Sequence, residues 1–182
     1  GCDETLKRMN RHYTCREYYE RCCILRKYFK NPAITTDVIV GFPAETEEEF
    51  AITEEFLKKV NFYEMHVFKY SRRAGTRADR MPDQVPEKEK AKRSARLLML
   101  EKEMSKQYRA SFLGTEAEIL LEEAITIKGK TYMVGHTKEY VKAAVPFDEN
   151  RLNAGKNVMI TGILKEFLTD DIIYLAENVK LG

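Results

Sequence analysis

Hydrophobic and polar positions follow a helical and strand mixture up to about residue 113, then a short strand period to the end. Residues 34–40 (ITTDVIV) are an apolar, β-branched run that predicts a fully buried parallel strand. Gly41-Phe42-Pro43 closes it in a tight turn, and Thr46 opens a helix over 46–60, with Glu49 completing a capping box. Phe50, Phe56, Leu57 and Val60 supply its apolar side; Glu47, Glu48, Glu54, Lys58 and Lys59 supply its polar side. Residues 62–70 (FYEMHVFKY) read as a second strand, so 34–70 forms a strand–helix–strand unit with parallel strands. Upstream, 3–13 suggests a short helix or turn. Thr14 and Glu17 then cap a helix whose apolar members are Tyr18, Cys22, Leu25, Tyr28 and Phe29, ended by Asn31-Pro32. The long loop 71–86 leads through Pro86 into a helix reaching about 112, stopped by Gly114. Ala91, Ala95, Leu98 and Tyr108 are expected on one side of it, beside Leu97, Leu100 and Met104.

After Gly114 five short strands are expected, at 115–122, 130–136, 141–146, 157–167 and 172–177. Lys128-Gly129, the turn-rich 148–155 and Thr169-Asp170-Asp171 separate them. Five closely spaced strands predict a small, closed or nearly closed antiparallel barrel. The fold class is α/β plus all-β, with domains at 1–113 and 114–182.

Charge is unevenly placed. The formal net charge is only +2, yet 69–109 holds 13 basic and 6 acidic side chains, enough for a local surface that attracts phosphates or another anion. A solvated helix face gives the same pattern. With 33% charged and 10% aromatic residues the chain is not a disordered one. No apolar run reaches transmembrane length and GCDETLKRMNRHY is no signal peptide, so no membrane association and a cytoplasmic location are expected. Cys2, Cys15, Cys22 and Cys23 form no C-x-x-C or C-x-x-x-C, which argues against a metal site or iron–sulfur cluster built from this chain alone. Reduced thiols, two of them half-buried in a helix, are expected.

The turn after the first strand lies where parallel α/β folds bind ligands. Gly41 has no Cβ and lets a ligand or backbone approach closely. Glu45 can accept hydrogen bonds from a ribose or an amine. An ordinary βα loop that binds nothing has the same local pattern.

Several motifs in order carry more than any one of them. GCDETLKRMNRHYT, TTDVIVGFPAETEEEF and HVFKYSRRAGTRADRMPDQVP resemble the C-terminal part of the radical S-adenosylmethionine (SAM) tRNA methylthiotransferases. EAEILLEE and VGHTKEYVKAAV are similar to the appended RNA-binding barrel of that family, the TRAM domain. GHTKEYVK and MPDQVP look most like the branch acting on threonylcarbamoyladenosine beside the anticodon. The isopentenyladenosine branch is close, and a third branch modifies a ribosomal protein. The resemblance implies a partial radical SAM (β/α) barrel followed by a five-stranded, OB-like TRAM barrel. It implies a parent enzyme using SAM and two 4Fe-4S clusters, whose cluster cysteines lie upstream of Gly1, and a tRNA anticodon stem-loop as substrate. The chain then reads as a fragment inactive by itself, with no catalytic residue and no metal ligand of its own; a non-catalytic RNA-binding module is the alternative.

Carried over residue by residue, the likeness implies that Gly41, Phe42, Pro43, Glu45 and Thr46 pack beside SAM, with Tyr70 and Ser71 at the same rim. Ala44 stands where the family usually has Gly, and Arg73 or Ala74 where it more often has Pro. Arg11 is expected to reach the SAM carboxylate as a bidentate donor, or to be a plain surface arginine. Asp37 is expected to be a buried, paired carboxylate, either fixing a basic partner near SAM or closing a structural pair. Arg72, Arg73 and Arg77 are candidate phosphate contacts. His136, Lys138, Tyr140 and Lys142 crowd one turn, where lysines meet phosphates and a ring stacks on a base, or where a polar hairpin carries a half-buried Tyr. A partial barrel also leaves an open sheet edge, which predicts self-association covering 34–40.

Overall fold

The computed structural model describes residues 1–148 and 158–177. The chain divides into two compact units, Gly1–Ser105 and Lys106–Gly182.

The first unit runs α1 (Asp3–Arg8), α2 (Cys15–Tyr28), β1 (Thr35–Val40), α3 (Glu47–Val60), β2 (Glu64–Lys69), a 3-10 turn (Ala78–Arg80) and the start of α4 (Glu87–Ala110). Both expected capping boxes form: Thr14 accepts from the Glu17 N–H and Thr46 from the Glu49 N–H, each glutamate returning to the cap N–H. β1 and β2 pair in parallel, from Thr35 opposite Glu64 to Val40 opposite Lys69, with α3 as the crossover. The core gathers Phe50, Leu57 and Val60 of α3, Val38 and Val40 of β1, Met65 of β2, Phe62, and Leu97, Leu100 and Met104 of α4.

Three expectations about burial are corrected. β1 is not fully buried. It has a partner on one side only among the described residues, and its second face is left open, so Thr35 and Asp37 are exposed while Val38 and Val40 are buried. On α2, Cys22 is buried and Tyr18 packs on the core, but Leu25, Tyr28 and Phe29 are exposed. On α4 the inward stripe is Lys90, Arg93, Leu97, Leu100 and Met104; Ala91, Ala95 and Leu98 face out. The helix is rotated from the expected face because Lys90 and Arg93 turn inward to buried acceptors.

The second unit is a closed barrel of β3 (Glu116–Ile127), β4 (Lys130–His136), β5 (Lys142–Pro146), β6 (Met159–Phe167) and β7 (Ile172–Glu177), in the order β3-β4-β5-β7-β6. Ile119, Leu121, Ala143, Val145, Leu164, Ile173 and Leu175 fill it, together with Phe112 and Met133. Phe112 and Tyr108 pack with this core, which is why the second unit begins inside α4. β5 and β7 run parallel, so the barrel is not antiparallel throughout. A closed ring with an odd number of strands cannot alternate direction all the way round. β3 continues past the expected end at 122 because a bulge between Leu121 and Glu123 bends it around the barrel instead of ending it. From residue 149 on, the turn-rich 148–155 lies outside the described residues, as does the first position of the strand expected at 157–167. Among the described residues no helix is long and apolar enough to cross a membrane.

Candidate functional site

The turn after β1 is built around Glu45. Gly41 takes φ +71°, a left-handed conformation that favours glycine, and its N–H donates to Glu45 Oε2 at 2.7 Å. Arg93 of α4 donates to the same oxygen at 2.8 Å and to the Glu45 carbonyl at 3.0 Å. The two side chains are 2% and 6% exposed, a buried ion pair. Burial pushes the Glu45 carboxyl above its ordinary value, while the Gly41 N–H and Arg93 pull it down. This oxygen is therefore committed to the fold and is not free for a ribose or amine. Ala44, the residue in the usual glycine position, also has positive φ, at 61°.

Phe42 and Pro43 are buried, and the Phe42 ring meets Tyr70 edge-on at 5.2 Å. Thr46 is exposed and serves as the cap of α3. Tyr70 continues the ladder from β2, its N–H donating to the Val40 carbonyl at 2.9 Å. Its hydroxyl is buried with no hydrogen-bond partner among the described residues. Ser71 beyond it is exposed.

A cavity of about 230 Å³ opens along β1, against α1, α2 and α3. Arg11, Asp37 and Glu45 all line it; Gly41, Phe42, Pro43, Thr46, Tyr70 and Ser71 do not. Asp37 is exposed, opposite His66 in the strand register, and is not the buried, paired carboxylate expected. Among the described residues β1 has no second neighbour. Neither Arg11 nor Asp37 has a side-chain partner among the described residues, so the cavity carries one free cation and one free anion. Those charges complement an amino-acid group: guanidinium for carboxylate, carboxylate for ammonium. The Phe42 ring packs on Tyr70 and lies outside the lining of this cavity.

One arginine of the loop after β2 has a partner within the loop. Arg72 donates through Nε to Asp79 Oδ1 at 2.8 Å and through Nη2 to the Asp79 carbonyl at 2.9 Å, while Arg73 and Arg77 are exposed. On the barrel, His136 Nδ1 lies 2.8 Å from Glu122 and Lys142 Nζ lies 3.4 Å from Glu123, so the acid at the β3 bulge and the one after it offset two expected RNA contacts. Lys138 and Tyr140 project from the turn between β4 and β5, 90% and 68% exposed respectively.

All four cysteines are free; Cys2 and Cys22 are buried, Cys15 is half-buried and Cys23 is exposed. Burial, aided by a hydrogen bond to Asp3, raises the Cys15 thiol to about 11. No group of three or more His, Cys, Asp or Glu among the described residues is placed to hold a metal, and these cysteines do not fit an iron–sulfur cluster. Sequence reasoning missed Lys90 and Arg93. Their signal was present as two cations on the stripe 90, 93, 97, 100, 104, which continues an apolar helix face.

No family model matches the chain. It is 42% identical over 161 residues, 88% of its length, to the threonylcarbamoyladenosine tRNA methylthiotransferase of Bacillus subtilis. It is 41% identical over 138 residues, 76% of its length, to a tRNA-2-methylthio-N6-dimethylallyladenosine synthase of Acetivibrio thermocellus. To the enzyme of that second name in Protochlamydia amoebophila it is 36% identical over 172 residues, 94% of its length. The matches span 35%, 28% and 38% of these three relatives. The chain thus spans about a third of the length of these relatives, which are named for methylthio chemistry on tRNA.

Proposed function

We propose that this chain is part of a radical SAM tRNA methylthiotransferase acting on threonylcarbamoyladenosine beside the anticodon. The carrying observation is the 42% identity over 161 residues to an enzyme of that name. The strand–helix–strand unit followed by a closed five-stranded barrel supports a partial radical SAM barrel with an OB-like TRAM domain. In this reading the cavity along β1 is part of the SAM site, and the Gly41 turn carries Glu45 to its wall. Arg11 takes the SAM carboxylate and Asp37 its ammonium. When bound, SAM supplies the radical and the methyl group. The 4Fe-4S clusters belong to residues outside this chain, which is inactive alone. Lys138 and Tyr140 meet the anticodon stem-loop, the lysine through phosphate and the ring by stacking. Arg73 and Arg77 add phosphate contacts. A cytoplasmic location follows from the substrate.

A second reading, an isopentenyladenosine enzyme, rests on the 36% identity that extends over 94% of the chain. Binding of anticodon stem-loops bearing either modified adenosine, across a salt series, separates the two. The expected result is tighter binding to the threonylcarbamoyl form and a weakened, less salt-sensitive complex after the triple change Lys138, Tyr140 and Lys142→Ala. Equal affinity for an unrelated hairpin overturns anticodon specificity, and unchanged affinity after the triple change removes this turn from the RNA interface. The free edge of β1 is also proposed as a self-association surface, and a monodisperse monomer at high concentration in light scattering contradicts that.

A further inference from the structure

Lys90 and Arg93 reach from one helix to the carboxyl ends of both parallel strands. Lysine and arginine are rarely buried without partners. Lys90 is nonetheless buried on α4, and its ammonium donates to the Tyr70 carbonyl at 2.9 Å, just past β2. Its methylenes lie across Gly41, just past β1, so closely that a Cβ on Gly41 would stand 2.3 Å from Lys90 Cγ. One turn further on, Arg93 holds Glu45, whose carboxylate holds the Gly41 N–H. The Ala44 N–H adds a bond to the Asp83 carbonyl at 2.8 Å, in the loop ahead of α4. Two cations thus fix two βα turns to each other through one rigid element. The close approach that Gly41 permits is used by a lysine side chain rather than by a ligand.

We propose that Lys90 and Arg93 are positioning residues for the proposed SAM site, holding in register with Tyr70 the Gly41–Glu45 turn that carries Glu45 to the cavity wall. This rests on the SAM role proposed above. Neither residue lines the cavity, so each acts through the backbone and carboxylate that it grips.

The test uses the intact protein that contains this chain. Lys90→Met keeps the methylenes over Gly41 and removes only the ammonium. Arg93→Lys keeps a charge and loses the two-point grip. SAM affinity is measured by calorimetry, and backbone opening of 41–45 and 70–71 by amide hydrogen exchange, with the thermal midpoint measured alongside. The expected result for Lys90→Met is a roughly tenfold loss of SAM affinity and faster exchange confined to those two segments, at a thermal midpoint close to wild type. Arg93→Lys should lie between Lys90→Met and wild type for exchange at 41–45 and leave 70–71 unchanged. Unchanged affinity and exchange in Lys90→Met overturn the positioning role. So does a loss of affinity that merely follows a falling thermal midpoint, since that marks a structural residue only. A wild-type protein that binds no SAM overturns the SAM reading itself, and is told apart because the exchange pattern of the variants still reports whether the turns are clamped.

Discussion

Arg93 places its guanidinium 2.8 Å from the Glu45 carboxylate, with both side chains almost fully withdrawn from water. The same carboxylate oxygen accepts from the Gly41 N–H, so one pair joins α4 to the turn that follows β1. A buried ion pair adds little over apolar packing, but losing one member strands the other. Arg93→Met should therefore destabilise the first unit by about 3–5 kcal/mol at neutral pH. Part of that loss depends on pH. Burial already raises the Glu45 carboxyl, and without Arg93 it rises further. A carboxyl with a raised folded-state pKa stabilises the fold when protonated and loses that contribution as pH rises through the folded value. The deficit of Arg93→Met should thus shrink from pH 8 to pH 5, read as the gap between urea midpoints. A gap independent of pH would mean that Glu45 finds another partner.

Ala44 occupies a left-handed conformation at φ 61°. A non-glycine residue there costs roughly 1–2 kcal/mol, because Cβ crowds the following carbonyl. Ala44→Gly should raise stability by about 1 kcal/mol, after allowing for the greater freedom of an unfolded glycine. Chemical denaturation checks this, and a destabilised variant would show that the Ala44 methyl makes a packing contact worth more than the strain.

Arg8 grips Glu49 in bidentate fashion, and Glu49 also closes the capping box of α3. The hydrogen bond from Arg8 holds the Glu49 carboxyl below its ordinary value of 4.5. A depressed carboxyl contributes stability above its unfolded pKa and loses it as pH falls through the lower, folded one. Wild type should lose stability on the order of 1 kcal/mol more than Glu49→Gln on acidification below pH 4.5, a partly exposed pair being discounted for solvent screening. Parallel pH profiles for the two proteins would remove the pair from the stability account.

How far the sequence shows this molecule depends on which physical signal each residue carries. Thr14–Glu17 and Thr46–Glu49 were readable because a capping box is local: donor and acceptor lie three residues apart. The five strands of the second unit were readable from turn chemistry. Lys128, for example, sits at φ 49° beside Gly129 at φ 78° in the β3–β4 hairpin. Asp37 misled because burial of a strand is set by its neighbours in the sheet, and β1 has only β2 among the described residues. Leu25, Tyr28 and Phe29 misled for the same reason: helical spacing marks an apolar face but does not supply the surface that covers it. The stripe 90, 93, 97, 100, 104 marks Lys90 and Arg93 as inward-facing, but their acceptors, Tyr70 and Glu45, are distant in sequence and carry no local signal. The pairing of His136 with Glu122 depends on the bulge in β3, which no short pattern announced.

Gly135 offers the sharpest separation of space from backbone conformation. It lies in β4 opposite Leu121 of β3, next to the bulge, and its φ is not in the left-handed region. A Cβ there would stand 1.8 Å from the Leu120 carbonyl oxygen and 2.5 Å from its carbon. Both are main-chain atoms of the barrel wall, so no side chain can rotate away to make room. Gly129 presents the opposite case: its φ is +78°, but nothing lies within 4 Å of a built Cβ. Gly129→Ala should cost only the strain of a left-handed residue, about 1 kcal/mol. Gly135→Ala must part β3 from β4, losing ladder bonds and opening the packing of Ile119 and Leu121 inside the barrel. It should cost well over 3 kcal/mol, in the range of large core disruptions. Urea unfolding of the two variants side by side, with amide exchange on 116–136, measures the contrast. Equal losses would mean that β3 can slide away from Gly135 at little cost, and that the bulge is softer than its contacts imply.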